Sequence, residues 1–383
     1  MGAARTGWWA LLLALALVAI GVQLDRASRR DAGLAFAVPE PLRGFAFVPL
    51  AAEALERDEA GEALALSRAL VLARPVSEEH LTLLALAATA AGDGALARRA
   101  LAEAGTRGWR EPLAQAALAD AALAAGRPDI AGERLLALWI MGERGVPVAE
   151  GLDRVLATAE GRTTVSHWMS RTPREAANLA GWGARALAAQ PLAQTVKAAL
   201  AEGAPIGCEG LGAMTHRMLR RGEAGAARLL WSGRCARGAL ADLADTSFVP
   251  ADGNALNAPL GWQAEPEAAF EPAGPRLRLR YDNRAPATRK IAERLSALAP
   301  GPYRVSAKPG TDRGPFAVPP RLDVVCIARG GGERTIAAVR LDPAGELVAI
   351  PARGCPVQNF KLMAPAGRGA IRDLAIRRTG EGA

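Results

Sequence analysis

The chain has few of the residues on which most catalytic and metal sites depend. It contains three histidines and four cysteines in 383 residues. No His-Glu-x-x-His, Gly-x-Ser-x-Gly or Cys-x-x-Cys sequence occurs, so the motifs of zinc proteases, serine hydrolases and paired-cysteine zinc sites are missing. We therefore expect no enzymatic activity, no catalytic residues, no bound metal and no cofactor.

Features of nucleic-acid and nucleotide binding are also scarce. The net charge is +8, but the arginines are scattered and no run of five or six basic residues occurs. Gly330–Gly332 is not followed by the Lys-Ser or Lys-Thr of a phosphate-binding loop, so it predicts a tight hairpin turn. We interpret the positive charge as ordinary solvated surface and expect no nucleic-acid partner.

Aromatic residues make up only 4% of the chain, and two of them open its long apolar run. Trp8–Leu24 carries no charge and as a helix spans roughly 25 Å, near the lower limit for crossing a bilayer. The alternative is a cleaved signal peptide. Its apolar part usually has about 7–15 residues, and the nearest small-x-small site, Ala35–Ala37, lies well past the run. We predict a retained transmembrane anchor over residues 1–25 and a connector over 26–45.

Charges and cysteines give opposite indications of the side of the membrane on which the body lies. Arg26, Arg29 and Arg30 follow the anchor, and the positive-inside rule taken alone would keep the body in the cytoplasm. The four cysteines fall as one pair in each of two regions, which suits local disulfides in an oxidising compartment. We predict an extracytoplasmic body, and the charge count stands against it.

Alanine and leucine dominate the first two thirds, as in packed amphipathic helices. Two series of small residues recur every 34 positions: Ala63, Ala97 and Ala131, and Gly92 and Gly126. This is the period of tetratricopeptide repeats, and residues 46–145 resemble them, although alanine or leucine fills most of the large aromatic positions. An ordinary bundle with alanine-rich contacts is the alternative. We predict a tetratricopeptide-like helical domain over 46–245.

The cysteine positions predict two bridges. Cys208 and Cys235 bracket two predicted helices near the end of the helical domain, so we expect a disulfide that closes a helical hairpin. Cys326 and Cys355 are expected to form a second local bridge in the region that follows.

From about residue 246 the pattern changes to short alternating segments separated by proline and glycine. Leu277–Tyr281 alternates cleanly, and about eight such segments follow one another up to residue 379. This pattern is typical of an antiparallel β-sandwich, so we predict one over 246–379 that folds alone. Thr288–Ala299 looks helical, but its poor alternation leaves helix and strand both open.

The last region resembles the jelly rolls of carbohydrate-binding modules. The matching segments are Pro259–Trp262, Leu277–Tyr281, Pro300–Ser306, Gly354–Gln358 and Asp373–Ile376. The whole layout resembles single-pass envelope proteins of α-proteobacteria that carry tetratricopeptide-like helices and a C-terminal jelly roll and are associated with surface polysaccharide. The resemblance implies an α+β multidomain protein of the bacterial inner membrane, with a periplasmic body.

The resemblance also suggests a function. It implies a non-enzymatic scaffold whose helical array binds a partner protein and whose sandwich binds a glycan or a protein. Trp262 and Tyr303 lie beside turns, where a ring can face solvent, so we predict that they are the ligand-binding residues if the sandwich binds a polysaccharide. The alternative for either ring is a place in the core. The alternatives are a glycan-modifying enzyme, which a cleft with two facing carboxylates would favour, and a sandwich that only caps the array.

Overall fold

The computed structural model describes residues 2–108, 110–231, 235, 242–246, 248, 261–273, 276–311 and 318–379. Met1 of the predicted anchor, and Pro259 and Leu260 of the jelly-roll resemblance, lie outside the described residues. The chain divides into two compact units, Met1–Gly151 and Leu152–Ala383. The division falls inside the predicted helical domain, 46–245.

The first unit begins with an apolar helix, α1, over Gly2–Ala27. Among the described residues it is the one helix long and apolar enough to cross a membrane, although a signal sequence meets the same criterion. Trp8 and Trp9 are 59% and 67% exposed, and most other side chains of the apolar run are also exposed. The part of the helix predicted to face lipid therefore has little protein packed against it.

Short helices fill the rest of the first unit. Two 3₁₀ turns, Ala32–Ala37 and Glu40–Leu42, occupy the connector. The α-helices that follow are α2 (Phe47–Glu56), α3 (Ala60–Ala73), α4 (Glu78–Ala90), α5 (Gly94–Arg107), α6 (Pro112–Ala124) and α7 (Pro128–Ile140), and α8 (Val146–Ala157) runs across the division between the units.

The 34-residue period corresponds to successive helical hairpins. The turns after α2, α4 and α6 each contain a residue with positive φ: Asp58 at 58°, Gly92 at 77° and Gly126 at 68°. In each turn the next N–H bonds the carbonyl five residues earlier, which closes the helix end. The structure therefore shows a repeated helix–turn–helix unit, and its assignment as a tetratricopeptide repeat stays a prediction.

The second unit starts with further helices: α9 (Ala159–Arg171), α10 (Pro173–Ala186), α11 (Ala189–Ala201), α12 (Cys208–Arg220) and α13 (Ala224–Trp231). A disulfide joins Cys208 to Cys235 and so encloses α12 and α13. This confirms the predicted pairing, which follows from the position of the two cysteines on either side of a short hairpin.

An antiparallel sandwich of two five-stranded sheets completes the second unit and confirms the predicted fold class. The first sheet has the order β1 (Gln263–Ala264), β4 (Arg289–Ser296), β9 (Val357–Ala364), β6 (Arg321–Ile327) and β7 (Glu333–Arg340). The second has the order β2 (Ala268–Ala273), β3 (Arg276–Asn283), β10 (Gly367–Arg378), β5 (Gly301–Thr311) and β8 (Glu346–Ile350).

Inward side chains of both sheets form one core, which includes Leu279, Val324, Phe360 and Ile371. The second predicted disulfide, Cys326 to Cys355, is buried in this core and is confirmed.

Two ambiguous stretches of the sequence are resolved in the sandwich. Thr288–Ala299 contains the strand β4, and the register of its pairing with β9 shifts between Lys290 and Ala292. Such a bulge interrupts the alternation of inward and outward side chains, which is why the sequence pattern was indecisive. Gly330 and Gly331, with φ of 87° and 88°, form the predicted tight turn between β6 and β7.

Candidate functional site

The two rings predicted to bind sugar are buried. Trp262 is 1% exposed and contacts Phe248 edge-on, with 5.8 Å between the ring centroids. Tyr303 is 6% exposed, and its hydroxyl donates to the carbonyl of Ala299 at 2.9 Å. The prediction that these rings face solvent is wrong, because closeness to a turn does not determine which side of a strand a side chain occupies. Neither ring offers a face on which a sugar could stack.

A polar cleft lies instead at one end of the second sheet. It has a volume of about 720 Å³. Its charged lining consists of four arginines and three carboxylates: Arg280, Arg284, Arg289, Arg368, Glu267, Glu271 and Asp282. These residues come from β2, β3 and β10 of the second sheet, from the start of β4 in the first sheet and from the turns beside them, so the sandwich holds them in fixed relative positions. The cleft is our candidate functional site.

Strand register brings the charged residues of the cleft together. Arg280 and Asp282 share one face of β3, because alternate residues of a strand point to the same side. Asp282 lies directly opposite Arg368 in the pairing of β3 with β10, and their side chains are 3.4 Å apart. Glu271 on β2 lies 3.3 Å from Arg280. The alternation of charge along β3 was visible in the sequence, but its partners on β2 and β10 depend on the register.

Every carboxylate in the cleft has an arginine partner. Glu267 is 3.9 Å from Arg289, and Asp282 is 3.2 Å from Arg284. The arginine side chains nevertheless remain open to solvent, since those of Arg284 and Arg368 are 85% and 65% exposed. The cleft therefore presents guanidinium groups that a soluble anionic ligand can reach.

This composition favours hydrogen bonding over stacking. The one aromatic residue that lines the cleft, Tyr281, is 5% exposed. Guanidinium groups bind carboxylate, sulfate and phosphate oxygens through paired hydrogen bonds, and carboxylates accept bonds from sugar hydroxyls. The cleft suits an acidic glycan better than a neutral sugar that needs an aromatic platform.

A second polar cluster lies where α12 packs against β4. The carboxylate of Glu293 on β4 pairs with Arg220 of α12 and accepts a hydrogen bond from Asn359 at 3.1 Å. Burial opposes its ionisation, but the Asn359 bond and the charges of Arg220 and Lys290 outweigh burial and lower the pKa of Glu293. Burial, with the charge of Arg220, also lowers the pKa of the nearby His216. The cluster belongs to the packing of the helices on the sandwich.

The described part of the chain contains no cluster of side chains that could coordinate a metal ion. No group of three or more histidine, cysteine, aspartate or glutamate side chains is placed there to hold an ion.

Comparison with known proteins gives little further information. No protein-family model and no curated protein matches the chain. Among the solved structures that resemble part of it is that of accessory secretory protein 1, 2 and 3 of Streptococcus pneumoniae, with 13% sequence identity and a TM-score of 0.22. The match covers 30% of this chain and 95% of that chain. A similarity this weak carries no argument about fold or function.

Proposed function

We propose that this protein is a non-enzymatic scaffold, anchored by α1 in the bacterial inner membrane with a periplasmic body. Its helical hairpins offer a surface to a protein partner, and its sandwich binds an acidic surface polysaccharide. The observation that carries the proposal is the way the end of α1 is built into the first folded unit.

The last turns of α1 pack against the connector. A Cβ at Gly21 would lie 2.4 Å from the Leu42 side chain, so the two segments approach closely. Asp25 is 7% exposed, and its carboxylate accepts hydrogen bonds from the backbone N–H groups of Gly44, Phe45 and Ala46, at 2.8, 3.0 and 2.9 Å. These N–H groups belong to the three residues that immediately precede α2, and Asp25 is the acceptor of all three.

Removal of α1 would leave polar backbone groups of the first unit without a hydrogen-bond partner. Cleavage at the small-x-small site Ala35–Ala37 would remove Asp25 and leave the three N–H groups without their acceptor. An unsatisfied buried donor costs about 1–3 kcal/mol. A helix that supplies part of the fold supports retention as an anchor over cleavage as a signal peptide.

The disulfides support an extracytoplasmic body. Both lie in the second unit and close loops with sequence separations of 27 and 29 residues. On the loop-entropy model, loops of this size contribute on the order of 3–4 kcal/mol each. Such bonds persist in the periplasm and are rare in the cytoplasm, which is the reason for preferring the cysteines over the charges that follow the anchor.

Anchoring and topology are tested on protein taken from its native membrane. We expect the intact mass to include α1 and non-reducing peptide maps to show Cys208 linked to Cys235, and Cys326 to Cys355. A reporter fused after the last residue should give strong alkaline phosphatase activity. Four free thiols with reporter activity only in the cytoplasm would refute the periplasmic body.

Glycan binding is tested by charge reversal in the cleft. We expect the double variant Arg284→Glu, Arg368→Glu to lose most of its calorimetric binding to the organism's acidic surface polysaccharide. Arg353→Glu is the matched control, because Arg353 is exposed on the same sandwich but does not line the cleft. Equal binding by both variants, or no heat with the unmodified protein, would contradict the proposal.

An enzyme remains the second candidate, because three carboxylates line one cleft. Glycoside hydrolysis needs a protonated acid and a base on opposite sides of the bond, whereas each carboxylate here is paired with arginine. We expect no new reducing ends when the protein is incubated with the polysaccharide. Release that is abolished by Glu271→Gln would favour the hydrolase instead.

A further inference from the structure

A second cavity lies beside the end of α1. It has a volume of about 510 Å³ and is lined by the residues that follow α1, by Phe45, and by the turn between α3 and α4. Three arginines line it: Arg29, Arg30 and Arg74. Neither the partner proposed for the hairpins nor the glycan proposed for the sandwich accounts for this cavity.

Two of these arginines are held in place by an aromatic ring. The guanidinium carbon of Arg74 lies 3.4 Å from the centroid of the Phe45 ring, and that of Arg29 lies 4.6 Å from it. A cation over a ring face is attracted to it, yet the contact uses none of its N–H donors. Phe45 is itself fixed, because its backbone N–H bonds to Asp25. Two guanidinium groups are therefore positioned at the end of α1.

The charge of the cavity is largely uncompensated. In the part of the chain that the structure describes, no carboxylate lies within 4.0 Å of Arg29, Arg30 or Arg74. One carboxylate, that of Glu79, lines the same cavity, so the lining retains an excess of positive charge. Arginine groups gathered without carboxylate partners favour a multivalent anion such as phosphate.

The cavity is at the depth of the lipid headgroups if α1 spans the membrane. The apolar run ends at Leu24, α1 continues to Ala27, about 4–5 Å further along its axis, and Arg29 follows two residues later. The polar layer of one leaflet is about 5–8 Å thick. Leu72 and Val76, on either side of Arg74 in sequence, are 84% and 83% exposed and add apolar surface beside the same turn.

We propose that this cavity binds the phosphate headgroup of an anionic phospholipid. The inference rests on the proposed retention of α1, which brings the cavity to the membrane surface. Arg29, Arg30 and Arg74 then hold the phosphate, and the exposed apolar residues near Arg74 contact the interface. In this proposal Arg29 and Arg30 bind a lipid headgroup, a role that is separate from the effect of such charges on which side of the membrane the body lies.

The test uses the full chain in an uncharged detergent, with bound lipid counted by mass spectrometry of the intact complex. Phosphatidylglycerol and phosphatidylcholine are added in parallel, and we expect selective retention of phosphatidylglycerol. A basic residue near the surface is worth roughly a fivefold change in affinity, so Arg29→Gln with Arg30→Gln should weaken binding roughly 25-fold. Arg99→Gln is the control, because Arg99 is an exposed arginine of the same unit outside the cavity.

Further measurements separate the sources of phosphate and the two proposals. Glycerol 3-phosphate is titrated as the soluble form of the same group; binding as strong as that of the lipid, without selective lipid retention, would overturn a lipid source. Equal retention of both lipids, or equal loss in Arg99→Gln, would overturn the site. The intact mass shows beforehand whether α1 is present. Its absence would overturn both proposals, whereas nonselective binding by a chain that keeps α1 overturns this one alone.

Discussion

Substitution of Gly222 tests the contact between α12 and the sandwich. Gly222 ends α12 with φ of 73°, and a Cβ there would lie 2.2 Å from the carbonyl oxygen of Ala328 in the turn between β6 and β7. The same turn is bonded to the helix end, because the N–H of Gly330 donates to the carbonyl of Arg221 at 3.0 Å. In Gly222→Ala the helix end and the turn must therefore move apart.

The expected loss of stability in Gly222→Ala has two causes, the strained backbone conformation of the new alanine and its clash with the turn between β6 and β7. A left-handed conformation costs a residue other than glycine about 1–2 kcal/mol. Gly203→Ala measures this part alone, because Gly203 has φ of 94° at the end of α11 and its Cβ would have no neighbour within 4 Å. Forced separation adds about 1–3 kcal/mol, so Gly222→Ala should lose about 2–5 kcal/mol in all.

Both variants are measured as full chains in mild detergent by urea denaturation. Hydrogen exchange of the peptide that contains Gly330 gives a local readout, and we expect faster exchange in Gly222→Ala alone. Equal losses of stability in the two variants, with unchanged exchange at the turn, would refute the close contact between α12 and the sandwich.

Four further predictions follow from the packing. Trp262→Ala should lower the free energy of unfolding by about 3–5 kcal/mol, as expected for a core ring, and calorimetry should show no binding defect in the fraction that stays folded. Asp25→Asn should lower the thermal midpoint of the first unit, since the three N–H groups just before α2 lose a charged acceptor worth about 1–3 kcal/mol. A midpoint equal to wild type would contradict the role of Asp25. The pKa of Glu293 is lowered in the folded protein, so this group stabilises the fold above its unfolded pKa near 4.5, and that stability is lost as the pH falls through the folded pKa. The pKa of His216 is also lowered, so below its unfolded pKa of about 6.5 the unfolded chain takes up a proton more readily and the fold loses stability. Unfolding midpoints measured from pH 7 to pH 4 should therefore fall, and His216→Gln should remove the part of the fall just below pH 6.5. A fragment of residues 246–379 should be less stable towards urea than one of 152–383, because it lacks α12 and α13; equal midpoints would support independent folding of the sandwich.

Local patterns determined the elements and their order. A helix end that needs a left-handed residue selects glycine, so the 34-residue spacing of Gly92 and Gly126 predicted the hairpin turns without knowledge of any contact. The alternation of apolar and polar residues predicted most of the strands, since side chains of a strand alternate between two faces. This signal is also local and needs no knowledge of contacts. The disulfide of Cys208 with Cys235 also lies within one local hairpin.

The sequence did not show which way some side chains point or how the strands pair. The sequence showed that Trp262 is near a turn, but its ring enters the core because of contacts with distant residues such as Phe248. The bulge in β4 concealed a strand, and the charged cleft exists only because β3 and β10 pair with Asp282 opposite Arg368. A shift of one residue in that pairing would send one of the two side chains to the other face.

The sequence by itself therefore determined the apolar N-terminal helix, the repeated hairpins, the sandwich and both disulfides, because each depends on residues close together in the chain or on a simple period. Only the tertiary structure decided that Asp25 joins the end of α1 to the residues just before α2, that the later helices form one compact unit with the sandwich, and where the two basic cavities lie. These features depend on contacts between residues far apart in the chain, and the pairing of such residues is set by the packing of the whole unit.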